Sequence, residues 1–224
     1  MNNLIVFAKY PEPGNVKTRI GEKIGMEKAS KLYHHFLLDA FEQYSYLGKT
    51  SVKVYFSPEN RLVKEYRRLL PNQFHLKFQM GNDLGSRMKN AFADELFHGS
   101  CMIIGTDHPN LPSKYIKDGF AFLNSNPGSV VIGKSSDGGF YTLGMNVFYS
   151  QLFEGMTYSH QNVYSQTMNK IKLLGIDFLE LPEWYDIDEP EDLSKLVADF
   201  KKEIPDINIP KRTIEFMKNQ QLYF

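Results

Sequence analysis

The feature that most constrains this chain is a regular alternation between two hydrophobic patterns. Short runs rich in β-branched and aromatic residues alternate with longer segments of helical periodicity, which is typical of a mainly parallel sheet covered by helices. The short runs predict the strands Leu4–Lys9, Ser51–Ser57, His75–Met80, Cys101–Thr106, Val130–Gly133, Phe140–Met145 and Phe178–Leu181. The sequence therefore predicts an α/β fold with a mainly parallel central sheet flanked by helices.

The segments between the strands predict amphipathic helices in one unbroken succession. These helices are Glu27–Leu47, Leu62–Leu70, Leu84–Phe97, Lys114–Asn124, Asn162–Leu174 and Pro190–Lys202. Pro205 and Pro210 bracket a break before a last helical stretch, Thr213–Gln221. We expect residues 1–224 to form a single domain in which residues 205–224 are a C-terminal helical tail, because 224 residues suit one large core.

Composition argues against several classes of function. Lysine plus arginine and aspartate plus glutamate both number 26, so no net charge attracts the chain to nucleic acid or to an anionic membrane. No apolar run approaches the ~20 residues that span a bilayer, and the start MNNLIVFAK lacks a secretory pattern. The single Cys101 lies in an apolar run, which favours a small core residue over a nucleophile. We expect a cytoplasmic protein whose partners are small molecules.

The segment after the first strand, KYPEPGNVKTR, is rich in cations. Ligands of open α/β sheets gather beyond the carboxyl ends of the strands, where this segment lies. Lys9 ends the strand, and Lys17 and Arg19 follow it in a turn shaped by prolines and Gly14. A solvated loop is the plain alternative, but the charge favours phosphate binding. We expect Lys17 and Arg19 to be exposed cations that add little stability, and the glycines that a P-loop needs before Lys17 are missing.

A single carboxylate ends the strand within IIGTDHP. Asp107 follows a run that is predicted to be buried and apolar, so its charge requires a partner. The plain alternative is that Asp107 caps the helix that begins near Pro112, although Asn110 and Ser113 are better placed to do so. A role in binding a metal or another ligand is therefore at least as well supported as capping.

The last segment, WYDIDEPEDL, offers a second carboxylate. Asp186 and Asp188 flank one residue and so lie on the same side of an extended stretch. Hard divalent ions such as magnesium take one or two protein carboxylates together with substrate phosphates. Asp107 and Asp188 supply that number from two strand ends, which predicts a site for Mg²⁺ or Mn²⁺.

Two further segments contain residues that can face a ligand. In SSDGGFYTLG, Asp137 precedes two glycines that allow the backbone to approach a ligand closely, although a plain Asp-Gly turn explains them equally well. In GNDLGSR, Asp83 can cap the helix that starts at Leu84. Arg87, one turn into that helix, can reach back toward an anion at its start.

Six segments occur in a characteristic order between about Leu4 and Leu193. They are FAKYPEPGNVKTR, GNDLGSRM, IIGTDHPNL, SSDGGFYTLG, LFEGMTYS and YDIDEPEDL. This set resembles a bacterial family of glycosyltransferase-A-like proteins, once classed as a domain of unknown function and known as radical-SAM or selenodomain-associated transferases. It is also similar, more distantly, to nucleotidyltransferases that make molybdopterin-dinucleotide and F420-type cofactors. The resemblance implies a nucleotide-diphospho-sugar transferase fold.

The resemblance also implies roles for several residues. The loop Lys9–Arg19 would face the nucleotide phosphates, Asp107 would be the metal-binding acid and Asp188 a second ligand. Asp137 would face the donor sugar or the acceptor. The sequence departs from the family pattern at His108, where a small residue is usual, and at Tyr158-Ser159, where Trp-Ser is usual.

Three functional hypotheses follow. The leading one is glycosyl transfer from a sugar nucleotide to a small-molecule acceptor. A metal on Asp107 and Asp188 would stabilise the departing diphosphate, and Lys17 and Arg19 would help to neutralise its charge. Asp137 would orient or deprotonate the acceptor hydroxyl. The alternative is nucleotidyl transfer, in which a phosphorylated acceptor attacks the α-phosphate of a nucleoside triphosphate. A third is a non-catalytic nucleotide-binding module, against which the three aspartates argue.

Overall fold

The computed structural model describes residues 1–59, 61–158, 160–201 and 208–222, and its centre is one sheet. The strands are β1 (Asn2–Lys9), β2 (Thr50–Ser57), β3 (His75–Phe78), β4 (Ser100–Ile104), β5 (Ser129–Ser135), β6 (Phe140–Met145) and β7 (Asp177–Trp184). Their order across the sheet is β3-β2-β1-β4-β6-β5-β7. Parallel pairing joins β3 to β2, β2 to β1, β1 to β4 and β5 to β7, while β6 runs antiparallel to β4 and β5. The predicted mainly parallel sheet is confirmed.

Helices cover both faces of this sheet. They are α1 (Thr18–Ile24), α2 (Met26–Ser45), α3 (Val63–Arg67), α4 (Leu84–Glu95), α5 (Ser113–Ser125), α6 (Val163–Leu173), α7 (Pro190–Lys201) and α8 (Lys211–Asn219). In β1, Leu4 and Val6 join the apolar cluster on one face, and Ile5 joins the cluster on the other face. Burial on both faces explains why β1 is a continuous apolar run rather than an alternating one. No helix in the described part of the chain has the length and apolar character needed to cross a membrane.

Several predicted boundaries are wrong, and the pairing of the strands explains why. The strand predicted as Cys101–Thr106 ends at Ile104, because its pairing with β6 ends there. The strand predicted as Phe178–Leu181 continues to Trp184. Strand β7 lies at the edge of the sheet, where its Pro182 is tolerated. After an irregularity in β5, the two strands pair again at Ser135 and Trp184. Helix α1 was not predicted, since its seven residues are too few to show a clear helical period.

One of the two helix starts with a predicted side-chain cap has that cap, and the other does not. Asp83 accepts a hydrogen bond from the Ser86 N–H at 2.8 Å in a capping box, which confirms its predicted role. At α5, Pro112 occupies the cap position without a side-chain hydrogen bond, so the expected capping by Asn110 or Ser113 is wrong.

The C-terminal helix packs on the apolar cluster of the main fold. Asp39 of α2 accepts hydrogen bonds from the backbone N–H groups of Arg212 at 3.0 Å and Thr213 at 2.8 Å, which caps the first turn of α8. Three residues named in the sequence predictions lie outside the described residues. Lys202 is the predicted end of one helix, Pro205 is the predicted start of the 205–224 tail, and Ser159 belongs to one departure from the family pattern.

Candidate functional site

A cleft of about 580 Å³ opens at the carboxyl edge of the sheet. Because strand β6 is antiparallel, its first residues lie at the same edge as the ends of β4 and β5. Seven of the eight predicted site residues line this cleft: Lys9, Lys17, Arg19, Arg87, Asp107, Asp137 and Asp188. Gly14 is outside the lining, and its φ of 81° shapes the turn before Lys17.

A backbone hydrogen bond brings the two predicted metal ligands together. The N–H of Ile187 donates to the carbonyl of Asp107 at 2.7 Å, which ties the segment after β7 to the segment after β4. The carboxylate of Asp192 then accepts from the backbone N–H groups of Asp188 at 3.0 Å and Glu189 at 2.8 Å. These bonds fix the start of α7, so Asp188 is held beside Asp107.

Lys17 connects the two acids, which the sequence analysis did not predict. Its ammonium donates to Asp107 Oδ1 and, at 2.8 Å, to Asp188 Oδ1. The Lys17 side chain is only 2% exposed, so the expectation of an exposed cation is wrong. The rings of Tyr33 and Phe36 lie next to the ammonium, with their centroids 5.9 and 5.5 Å from its nitrogen. Burial alone would lower the Lys17 pKa, but the carboxylates outweigh it and raise the pKa, so the ammonium stays charged.

The backbone of Lys17 adopts a conformation that is unusual for a residue with a side chain. Its φ of 47° and ψ of 43° are left-handed, and such positions cost about 1–3 kcal/mol in non-glycine residues. The carbonyl of Lys17 accepts from the Gly21 N–H at 2.8 Å, which anchors it to the first turn of α1. Strain of this kind is concentrated at functional sites, where surrounding structure holds it in place.

The two acids are close enough to share one ligand. One oxygen of each contacts the same ammonium, so both point to a common position. Their side chains remain 43% and 45% exposed, which leaves room for water and phosphate oxygens in the coordination shell. No group of three or more His, Cys, Asp or Glu side chains in the described residues could hold a metal. Asp107 and Asp188 therefore fit an ion shared with a substrate, and their metal role stays a prediction.

The remaining cations lie along one side of the cleft. Arg87 donates to the carbonyl of Gly81 and to the hydroxyl of Ser57, both at 3.0 Å, so its guanidinium is held near the ends of β2 and β3. Arg19 lies in α1, pairs with Glu189 at 2.9 Å and is 66% exposed, as predicted for a surface cation. This side of the cleft presents positive charge to an anion.

A second polar cluster lies on the other side of the cleft, and no sequence pattern indicated a role for it. The Ser135 hydroxyl donates to Asp186 Oδ2, and His108 Nδ1 lies 3.4 Å from Asp186 Oδ1. Burial would raise the pKa of Asp186, but its hydrogen bonds with His108 and Ser135 outweigh burial and hold the pKa below its ordinary value. The only local signal was the Asp186-x-Asp188 spacing, since no pattern near Ser135 indicates a contact with β7.

The Asp137 turn packs against the segment that precedes α6. Asp137 Oδ1 accepts from the Gly139 N–H at 2.8 Å, so the predicted Asp-Gly turn is present. Gly138 has a φ of 91°, and a Cβ there would lie 2.0 Å from the carbonyl of Gln161. This position requires glycine, and the contact fixes the edge of the cleft near Asp137.

His160 and Tyr158 complete the cleft wall. The two ring nitrogens of His160 bond locally, to the hydroxyl of Thr157 at 3.1 Å and to the N–H of Asn162 at 3.1 Å. Tyr158 covers Gly85 of α4 so closely that a Cβ there would lie 2.3 Å from its ring. Burial raises the pKa of Tyr158 to about 12, so its phenol remains protonated.

The sheet order and the cleft at its carboxyl edge define a protein with the nucleotide-diphospho-sugar transferase fold. The chain belongs to the family described as uncharacterized protein conserved in bacteria (DUF2064), whose model matches residues 40–160. No curated protein matches the sequence.

Solved structures share the whole fold. A provisionally assigned nucleotide-diphospho-sugar transferase from Desulfovibrio desulfuricans G20 is 28% identical, with a TM-score of 0.88 over 99% of this chain and 97% of its own. A cytidylyltransferase from Leptospira borgpetersenii is 13% identical, with a TM-score of 0.57 over 98% and 94%. CMP:2-keto-3-deoxy-manno-octonic acid synthetase complexed with CTP is 10% identical, with a TM-score of 0.54 over 91% and 99%. The last two likenesses show the fold alone.

Proposed function

We propose that this chain is a metal-dependent transferase that uses a nucleotide-activated substrate, and that its reaction is glycosyl transfer from a sugar nucleotide to a small-molecule acceptor. The observation that carries the proposal is the convergence of Asp107 and Asp188 on one position beside the cationic side of the cleft. The similarity to the Desulfovibrio protein along nearly the whole chain supports a nucleotide-using transferase.

The residues of the cleft have separate tasks in this reaction. Asp107 and Asp188 would hold a divalent ion, which supplies positive charge to a departing diphosphate. Arg19 and Arg87 would bind the phosphates of the donor through charge-assisted hydrogen bonds, and the buried Lys17 ammonium would neutralise charge beside them. The bond between the sugar C1 and the diphosphate oxygen breaks, and C1 bonds to the acceptor oxygen. The acceptor proton passes to the carboxylate of Asp137, and the nucleoside diphosphate leaves.

Nucleotidyl transfer is the second candidate function. It is favoured by the three cations Lys9, Lys17 and Arg19 near the end of β1, which suit a triphosphate, and by the fold shared with the Leptospira cytidylyltransferase. In that reaction a phosphate oxygen of the acceptor attacks the α-phosphate, and pyrophosphate leaves.

Ligand-induced stabilisation separates these functions. Sugar nucleotides and nucleoside triphosphates are each added with and without Mg²⁺, and the thermal unfolding midpoint is measured. A ligand at 100 times its dissociation constant stabilises by about 2.7 kcal/mol. A Mg²⁺-dependent response to sugar nucleotides supports glycosyl transfer, and a response to triphosphates alone supports nucleotidyl transfer.

A matched pair of variants tests whether the response comes from the cleft. Asp107→Asn should lose the Mg²⁺-dependent part of the shift, while Asp118→Asn should keep it, because Asp118 is outside the cleft with a similarly exposed side chain, 45% against 43%. No response to either ligand class in the wild type would contradict both functions.

A further inference from the structure

The cleft is divided into two halves of opposite charge. Its cationic half lies beyond β1, β2 and β3 and contains Lys9, Lys17, Arg19 and Arg87. Its acidic half lies beyond β4, β5, β6 and β7 and contains His108, Ser135, Asp137, Phe140, Tyr141 and Asp186. Among the described residues that line the acidic half there is no lysine or arginine. The two halves meet where Lys17 contacts Asp107 and Asp188.

The acidic half offers hydrogen-bond acceptors rather than anion-binding donors. Ser135 and His108 contact the two oxygens of Asp186, and the Asp137 carboxylate is oriented by the N–H of Gly139. A phosphate placed here would face two carboxylates without a cation to compensate, which is electrostatically unfavourable. A group that donates hydrogen bonds is favoured instead.

His108 adds a buried ring nitrogen that lacks a partner. Its side chain is 1% exposed, and its Nε2 makes no hydrogen bond within the described residues. A hydroxyl group can donate or accept a hydrogen bond, so it can pair with Nε2 whichever ring nitrogen carries a proton. Buried polar atoms are normally paired, so this nitrogen lacks a partner that a hydroxyl group can supply.

The aromatic residues of the acidic half suit the apolar face of a sugar ring or polyol. Phe140 and Tyr141 line the cleft, and the Tyr141 ring lies edge-on to His108 with 5.7 Å between centroids. Binding sites for small molecules typically combine such rings with a few polar groups that fix orientation. Rings beside acceptor groups match a ligand that has both C–H faces and hydroxyl groups.

We propose that the second substrate is an uncharged polyhydroxyl compound, a sugar or polyol without phosphate, and that His108 Nε2 forms a hydrogen bond with one of its hydroxyl groups. This inference rests on the proposed transferase function and defines the acceptor of that same site. It favours glycosyl transfer over the alternative reaction proposed above, in which a phosphorylated acceptor attacks a nucleoside triphosphate.

Matched pairs of neutral and phosphorylated sugars test the inference. Glucose, mannose and galactose are compared with their 6-phosphates by saturation-transfer NMR, each with and without UDP and Mg²⁺. We expect the neutral member of at least one pair to bind saturably and about tenfold more tightly than its phosphate, which is a modest effect for a charge placed beside carboxylates. Tighter binding by the phosphates, or no saturable binding by any neutral sugar, would overturn the inference.

Two variants assign the effect to particular residues. His108→Phe should weaken neutral-sugar binding by about tenfold, near the upper limit for one neutral hydrogen bond, without changing the affinity for UDP and Mg²⁺. His98→Phe is the control, because His98 is exposed and outside the cleft. Asp137→Lys should shift the preference toward the 6-phosphates, which keeps the test available if His108→Phe does not fold. Unchanged sugar affinity in His108→Phe, or an unchanged preference in Asp137→Lys, would contradict the proposal.

The failure of this inference is distinguishable from the failure of the proposed function. If neither UDP with Mg²⁺ nor the sugar nucleotides and triphosphates bind, the transferase proposal is contradicted. The sugar pairs measured without nucleotide then still show whether the cleft prefers the neutral or the phosphorylated member. If nucleotides bind and the phosphorylated sugars bind better than the neutral ones, the transferase proposal stands and the neutral acceptor is excluded.

Discussion

Two lysines of this chain are buried in ion pairs, and the exposure of their partners distinguishes them. Lys17 contacts two carboxylates whose side chains are 43% and 45% exposed. Lys53 of β2 contacts Glu95 of α4, whose side chain is 2% exposed, and donates to Asn3 Oδ1 at 3.0 Å. The Tyr55 hydroxyl also donates to Glu95, at 2.8 Å. The Lys53 cluster is thus enclosed by protein groups, whereas the acids around Lys17 can still bind a ligand.

This difference indicates what each cluster does. A buried pair that hydrogen-bonds with further protein groups positions the elements that carry it, here β2 and α4. A cluster that combines a strained backbone, a buried cation and half-exposed acids is arranged to exchange partners. We therefore expect substitutions at the Lys53 cluster to change stability and substitutions at the Lys17 cluster to change binding and turnover.

The largest effect is expected for Glu95→Gln. It leaves the Lys53 ammonium buried without a counter-charge, and breaking a buried pair in this way costs about 3–5 kcal/mol. Urea unfolding measures the loss, with Glu154→Gln as control, because the ion pair of Glu154 with Lys89 is exposed and 4.0 Å long. A loss below about 1 kcal/mol would show that the Lys53 cluster is not structural and would contradict the difference between the Lys53 and Lys17 clusters.

Asp107→Asn should lower metal-dependent turnover by about 10²–10³ while the protein stays folded. Asn keeps the shape of the side chain and loses its charge, and removing one preorganised electrostatic group typically costs that much in rate. The measurement is turnover against Mg²⁺ concentration at equal folded fraction. Near-wild-type activity with unchanged Mg²⁺ dependence would remove Asp107 from the mechanism.

Lys17→Met should strengthen the binding of Mn²⁺ in the absence of nucleotide by about tenfold. The ammonium and the ion compete for the same carboxylate oxygens, and one charge interaction at 4 Å is worth about 1–4 kcal/mol between water and a protein surface. Calorimetric titration with Mn²⁺ alone measures the change. Lys134→Met is the control, since Lys134 pairs with Glu183 outside the cleft. Equal Mn²⁺ affinity in wild type and Lys17→Met would show that the two cations do not share a position.

The stability of the wild type should fall more steeply in acid than that of Glu95→Gln. Burial would raise the Glu95 pKa, but hydrogen bonds from Lys53 and Tyr55 and the charges of Lys53 and Lys77 hold it below its ordinary value of 4.5. A lowered pKa means that Glu95 stabilises the fold above pH 4.5 and that this contribution is lost as pH falls through the folded-state pKa. Urea unfolding between pH 3 and pH 7 should therefore show the two proteins converging toward acid, and parallel curves would contradict this.

The smallest effect is expected for Arg19→Ala. Its ion pair with Glu189 is exposed, so stability should change by less than about 1 kcal/mol. Nucleotide affinity should weaken by up to about fivefold, since an exposed cation contributes about 1 kcal/mol at most. Calorimetric titration with a sugar nucleotide gives the affinity. Unchanged nucleotide affinity would show that Arg19 does not bind the nucleotide and is a solvated surface residue.

The sequence predicted the sheet and the edge that carries the site because both follow from local patterns. The apolar run of β1 signals a strand that is buried on both faces, and parallel strands bring their carboxyl ends to one edge. Lys9, Asp107 and Asp188 follow such strands, so their arrival in one cleft follows from the order of strands and helices. Their chemical roles stay predictions.

The tertiary structure alone decided which of these groups touch. Lys17 is 90 residues from Asp107 and 171 residues from Asp188, and no local pattern indicates that its side chain turns inward between them. The same holds for Ser135 and Asp186, which are 51 residues apart. A sequence period reports which face of an element is apolar, whereas contacts between the ends of different strands depend on sheet order, register and loop conformation. Those quantities are set by the packing of the whole domain.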